Sequence, residues 1–314
     1  MTATPTLRVA AIGVGHLGRH HARILSDLPG ARLVGVVDIK ADRAAEVASA
    51  CGSRPFTRAE DVYGEVDAVS IAVPTAAHLE TALPFLERGI PVLVEKPLAR
   101  SVEEADRLIA AAEARGTVLA VGHTERFNPA VEAAARHVRN PRFVEVHRLG
   151  TLPERSLDID VVFDLMIHDL DIVLSLVGAE VESIEAVGVP VLTGRVDIAN
   201  ARLRFENGCI ANITASRISR ERVRKIRFFQ PDAYVSIDYA AQEVEWYRLV
   251  RGDGGQPTIE RGRLDVVREE PLARELSDFI GAVREGRQPL VTGRDGRRAL
   301  ALAERVAGRM AAGA

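Results

Sequence analysis

The sequence predicts an α/β protein: an N-terminal doubly wound parallel sheet, then an α+β domain with a large, mostly antiparallel, open sheet. Three observations predict it. Short, β-branched apolar runs alternate with helical patterns through the first third of the chain. After about residue 122 strand-like runs follow one another directly, as antiparallel pairing allows. The chain has 314 residues, enough for two domains of ordinary size.

Strands are expected over 7–12, 31–37, 67–73, 91–94 and 117–121. Helices are expected over 16–28, 41–50, 77–88 and 102–115, where apolar residues recur at helical spacing. Continuously apolar strands fit a sheet covered on both faces, and right-handed crossovers place helices on each side. Further on, 142–148 reads as a strand and 160–177 as a long helix. Strands follow at 181–187, 197–205, 209–216, 223–229, 233–238 and 243–250. Their links carry turn chemistry, as in Glu206-Asn207-Gly208 and Gln230-Pro231-Asp232. A glycine-rich stretch, 251–256, reads as a mobile loop, and helices over 272–284 and 295–310 close the chain. The domains expected are 1–122 and 123–314.

Composition narrows the function by exclusion. Lys plus Arg is 41 and Asp plus Glu is 44, a formal net charge of −3. That balance argues against a surface dedicated to nucleic acid or anionic membranes. No charge-free apolar stretch reaches the ~18 residues of a membrane helix. Residues 1–6 lack the basic and apolar parts of an export signal, so a cytoplasmic protein is expected. Cys51 and Cys209 are far apart and have no CxxC or Cys/His spacing, which argues against a disulfide framework or a structural zinc. The only lysines are Lys40, Lys96 and Lys225.

Gly13-Val14-Gly15-His16-Leu17-Gly18 fits GxGxxG between a strand and a helix, and Asp38 ends the next strand. Glycines permit a tight turn and close approach of a pyrophosphate, whose charge meets the helix N-terminus. A carboxylate at Asp38 accepts from ribose hydroxyls and repels a 2′-phosphate, favouring NAD over NADP; Lys40 and Arg43 soften that preference. Ile39, the next residue, is a further candidate for contact with the cofactor. An ordinary strand–helix turn is the competing reading.

Glu95-Lys96-Pro97 ends another buried strand, at the edge where doubly wound sheets bind ligands. Lys96 there can serve proton transfer, or Glu95 and Lys96 can be a surface pair capping the strand. Val73, Pro74 and His78 end the preceding strand, lining a nicotinamide pocket or starting a helix with Thr75 as cap.

Asp160, Asp164, His168 and Asp171 recur at i, i+4, i+8 and i+11 on an otherwise apolar helix. On a regular helix they share an arc of roughly 80°. Asp164, one turn before His168, can orient the imidazole and stabilise its protonated form, as a general base requires. A half-exposed helix with solvated acids gives the same pattern. His168-Asp169 is also the pair used by metal-dependent HD phosphohydrolases, but those are all-helical. His123 and Arg126, in the segment joining the domains, are candidate substrate contacts or parts of a hinge. Arg217, Arg220, Arg222, Arg224, Lys225 and Arg227 form a basic run. It reads as a solvated strand face, or, at Arg220 and Arg222, as a seat for substrate phosphates. His20 and His21 read as surface residues of the first helix.

Taken together, Gly13–Gly18 with Asp38, Glu95-Lys96-Pro97 and Asp164-Leu165-Met166-Ile167-His168 resemble the Gfo/Idh/MocA oxidoreductases over nearly the whole chain. The resemblance implies an N-terminal Rossmann domain, NAD as cofactor and a C-terminal sheet that forms homodimers or homotetramers. It also places the family's lysine, aspartate and histidine on Lys96, Asp164 and His168. Many sugar-oxidising members carry glycines before the aspartate and a small residue before the histidine; here Val161-Val162-Phe163 and Ile167 stand instead. The stretches 121–131, 160–177, 187–219 and 228–239 are similar to UDP-N-acetylglucosamine 3-dehydrogenases of lipid A precursor synthesis. That narrower likeness implies a nucleotide-sugar substrate oxidised at its 3-hydroxyl. Another sugar, a cyclitol or a dihydrodiol is the alternative within enzymes, and a non-catalytic sugar-sensing regulator the alternative outside them.

Overall fold

Strands that are apolar on both faces, each followed by a helix, can pair only in parallel beneath two helical layers. The computed structural model describes residues 6–151, 159–251 and 256–312. Its first sheet contains β1 (Leu7–Ile12), β2 (Ala31–Val37), β3 (Arg54–Phe56), β4 (Ala68–Ile71), β5 (Val92–Glu95) and β6 (Leu119–Gly122), in the order β3-β2-β1-β4-β5-β6. All pairs are parallel. The order reverses between β1 and β4, so ligands of this fold bind at the carboxyl ends of those strands.

Four crossover helices complete the layers: α1 (Gly18–Asp27), α2 (Ala41–Ala50), α3 (His78–Glu87) and α4 (Val102–Arg115). The ends of α4 are written locally. Ser101 Oγ accepts the Glu104 N–H at 3.3 Å, and Gly116 closes the helix at φ 58°. Thr75 caps nothing with its side chain; it opens a short 3₁₀ turn, Thr75–Ala77, and α3 begins after it.

The second sheet holds β7 (Phe143–Leu149), β8 (Val181–Val189), β9 (Ile198–Phe205), β10 (Ile210–Ser216), β11 (Val223–Phe229), β12 (Ala233–Asp238), β13 (Glu243–Val250) and β14 (Thr258–Arg263). The order is β14-β13-β12-β11-β7-β10-β9-β8, antiparallel except where β10 lies parallel to β7. Inward and outward residues alternate, as on β9, where every second side chain is buried. The edge strand β14 escapes a sequence reading because five of its six residues are exposed. Helices α5 (Pro129–Ala135) and α6 (Ile167–Val177) belong to this part, and a π-turn, Val162–Met166, leads into α6. Two helices follow, α7 (Pro271–Glu285) and α8 (Gly293–Ala312). Of the glycine-rich loop 251–256, residues 252–255 lie outside the described residues.

The chain forms two compact units, one ending at Thr124 and also taking in Glu270–Leu300, the other containing Glu125–Glu269 and the chain from Ala301. The return of 270–300 departs from the expected division at 123–314, which follows chain order alone. Its physical cause is the apolar face of α7: Leu272, Leu276, Phe279 and Ile280 share one core with Val9, Ala22, Leu25 and Val36. Among the described residues no helix is long and apolar enough to cross a membrane.

Candidate active site

In the first unit, the turn after β1 is dictated by contacts that only glycine tolerates. Gly13 has φ +78°, and a Cβ there would lie 2.6 Å from Val73 Cγ1. A Cβ on Gly18 would collide with the Gly13 carbonyl oxygen. The turn therefore feeds directly into α1, whose first backbone N–H groups are unsatisfied by the helix itself. His16 and Leu17 are exposed on it. Asp38 is buried at the end of β2, accepting the Val14 N–H at 3.0 Å and the Lys40 N–H at 2.9 Å. Arg43 Nη1 lies 3.7 Å from its carboxylate. Ile39, beside it, is 90% exposed, an unusual state for a large aliphatic side chain and one suited to covering a flat ring.

Val73 and Pro74 lie at the carboxyl end of β4, half-buried and exposed respectively. His78 behaves differently. Its ring is buried, with nitrogens 2.9 Å from the Pro97 carbonyl oxygen and 3.0 Å from that of Val73. Burial pushes its pKa below the ordinary value. His78 thus ties the loop after β4 to the loop after β5.

The Glu95-Lys96-Pro97 corner separates its two charges. Lys96 is half-buried, whereas Glu95 turns inward and accepts from His21 Nε2 at 3.0 Å and from the Lys96 N–H at 3.2 Å. The other nitrogen of His21 meets Ser70 Oγ at 2.7 Å. His21 is therefore core, not surface: it is 1% exposed, while its neighbour His20 is half-buried. A Cβ on Gly122 would lie 2.9 Å from the Glu95 carboxyl carbon, so glycine makes room for this group. Glu275, from α7, completes the cluster, with one ligand-type atom from each of His21, Glu95 and Glu275 within 4.8 Å of the others. Burial, and then repulsion from Glu95, hold the Glu275 carboxyl well above the usual range. The surface-cap reading of Glu95 is thereby corrected.

In the second unit, the long helix forms but its polar stripe is broken. The π-turn inserts one residue, which rotates the preceding turn by about 100° relative to α6. Asp160 lies before the helix, where its carboxylate accepts the Val196 N–H at 3.0 Å. Asp171 is buried and meets Arg126 Nη1 at 3.5 Å. Asp164 and His168 are half-buried, as is Asp160, but Asp160 lies ahead of the helix with its carboxylate tied to the Val196 N–H. Asp169 is fully buried in a two-point grip by Arg148, Nε at 2.6 Å and Nη2 at 2.9 Å, which removes it from any HD-type ligand set.

His123 is buried in the first unit, and Arg126 belongs to the second. Arg220 and Arg222 are exposed, with Arg222 reaching Thr151 Oγ1 at 3.4 Å. Arg217, expected on a solvated face, is instead 1% exposed, 3.4 Å from Asp197 and bonded to the carbonyls of Ile159 and Val196. The alternation does carry a signal here. Arg148 continues the inward series Val144, Val146, and Arg217 the series Ala211, Ile213, Ala215.

Residues 7–123 match the Gfo/Idh/MocA "Oxidoreductase family, NAD-binding Rossmann fold", and residues 131–232 match the "GFO/IDH/MocA C-terminal domain". UDP-N-acetylglucosamine 3-dehydrogenase of Acidithiobacillus ferrooxidans is 42% identical over 304 residues, 96% of each chain. The chain belongs to the Gfo/Idh/MocA family. A solved structure of that A. ferrooxidans protein superposes with a TM-score of 0.91 at 40% identity, covering 98% of each chain. The scyllo-inositol 2-dehydrogenase (NAD(+)) of Bacillus subtilis is 29% identical over 91% of this chain and 89% of its own. As a Gfo/Idh/MocA protein, this chain is an NAD-dependent dehydrogenase acting on CH–OH groups. The residues fit that cofactor: an uncluttered glycine turn at a helix start, an acid at the end of β2, and exposed Ile39 beside it.

Proposed function

We propose that this dehydrogenase oxidises the 3-hydroxyl of UDP-N-acetylglucosamine to the 3-keto sugar. The observation that carries the reading is 42% identity across 96% of both chains to an enzyme of that name, against 29% for the inositol enzyme. Bound NAD supplies a hydride acceptor. His168 takes the proton of the sugar hydroxyl, and Asp164 orients its ring and stabilises the imidazolium. Lys96 presents an ammonium to the oxygen as negative charge develops on it. Gly13, Gly15 and Gly18 give the pyrophosphate close approach, and Asp38 binds the adenosine ribose. The exposed guanidiniums of Arg220 and Arg222 hold the diphosphate.

NADH absorbance with a substrate panel tests this. UDP-N-acetylglucosamine should exceed free N-acetylglucosamine and inositols in kcat/KM by roughly 100-fold, because remote binding energy is used at the reacting carbon. In the same assay Arg220→Ala or Arg222→Ala raises KM for the nucleotide sugar much more than it lowers kcat. NADH formed from inositols but not from the nucleotide sugar rejects the substrate assignment. We further propose that the open face of the eight-stranded sheet joins copies into a dimer or tetramer; a monomeric mass by light scattering would refute it.

A further inference from the structure

We propose that Arg148 is a positioning residue for the reaction: its grip on Asp169 sets the rotation of α6 and so the placement of the adjoining His168. This inference rests on the function proposed above. Four side chains of the second unit meet in one buried joint. Arg148, from β7, holds both Asp169 oxygens at 2.6 and 2.9 Å, and its third nitrogen donates to Glu125 Oε1 at 2.9 Å. The Tyr239 ring lies 5.2 Å from the guanidinium carbon. The side chains of Arg148 and Asp169 are 5% and 0% exposed. Burial opposes the charge on Arg148, but attraction to Asp169 and then Glu125 outweighs it and raises its pKa.

Stability alone does not explain such a joint. A buried ion pair pays heavily for desolvation, and apolar residues of similar volume often hold a structure as well or better. What apolar contacts lack is direction. Two parallel N–H···O bonds fix one orientation of a carboxylate, and with it the helix that bears it. That matters here because the π-turn just ahead of α6 interrupts the regular ladder. A side-chain tip lies about 5–6 Å from a helix axis, so a rotation of roughly 20° moves it about 2 Å. Hydrogen-bond reach for proton transfer is only about 2.6–3.2 Å. Arg126, 3.5 Å from Asp171, supports the same helix two residues beyond Asp169.

The test uses the full-length enzyme with NAD and UDP-N-acetylglucosamine, measuring kcat, KM for NAD and Tm. Arg148→Lys keeps the charge but not the two-point fork. It is expected to fold and to lose roughly 10–100-fold in kcat with KM for NAD unchanged. The double variant Arg148→Met with Asp169→Leu removes both charges of the two-point pair, and Glu125 keeps its hydrogen bond from Asn128 Nδ2 at 3.3 Å. Its Tm is expected near that of the parent while kcat stays low, a split that a merely structural role does not produce. Turnover within twofold of the parent in either folded variant overturns the inference, and Arg148→Lys decides alone if the double variant does not fold. His168→Ala is run in parallel: if that variant stays active, the functional reading has failed, and if it is inactive while Arg148→Lys is normal, only this inference has.

Discussion

His168→Ala is expected to lower kcat by about 10²–10⁴-fold, the usual loss when a positioned base is removed, and Lys96→Ala to cause a loss of the same order. Both side chains are half-buried, so truncation leaves no large sealed cavity and the fold should persist, as circular dichroism would check. The two losses should not add. Groups that act on one proton and one developing charge work as a unit, so the double variant should fall little below the worse single one. The pH dependence of kcat/KM separates their roles, since the variant lacking the base loses the acidic limb while the other keeps it. Near-native turnover in both single variants would rule out the assignment of these residues.

Glu275→Gln is expected to make the protein more resistant to urea, increasingly so as pH rises. In the unfolded chain Glu275 ionises at its ordinary pKa, whereas in the folded chain burial and Glu95 keep the proton on well above it. Between those two values folding takes up a proton, so stability falls by about 1.4 kcal/mol for each pH unit. The glutamine variant cannot ionise and escapes that loss. Urea midpoints measured between about pH 5 and pH 8 should diverge in favour of the variant. Parallel curves would mean that Glu275 is already ionised in the folded protein.

Legibility in the chain divides along physical lines. The boundaries of β1, β2, α2 and α4 are where the sequence places them: apolar runs mark the strands, helical spacing marks α2, and Ser101 and Gly116 mark the ends of α4. The glycine turn and Asp38 are legible for the same reason: each residue type answers a local steric or charge requirement. Long-range placement is not. His21 looks like any polar residue of an amphipathic helix until β4 and β5 bring Ser70 and Glu95 to its two nitrogens. Nothing in Val162-Phe163-Asp164-Leu165-Met166, which contains neither proline nor glycine, announces a π-turn, and so a regular helical repeat overstates the four-residue polar stripe. The omission of Arg148 and the misplacement of Arg217 are the most recoverable, since Arg148 takes an inward position of alternating β7 and Arg217 the next inward position after β10.

The interleaving of α7 with the first sheet bears on how the protein is made. Leu272, Leu276, Phe279 and Ile280 each contribute roughly 1.5–3 kcal/mol on burial, together comparable to the ~5–15 kcal/mol that keeps an entire domain folded. A nascent chain that has emerged only as far as Thr124 therefore presents a nucleotide-binding sheet with an open apolar flank. Vectorial folding, one domain after another, is closed to this polypeptide. Its first 124 residues must stay soluble on the ribosome until α7 has been translated.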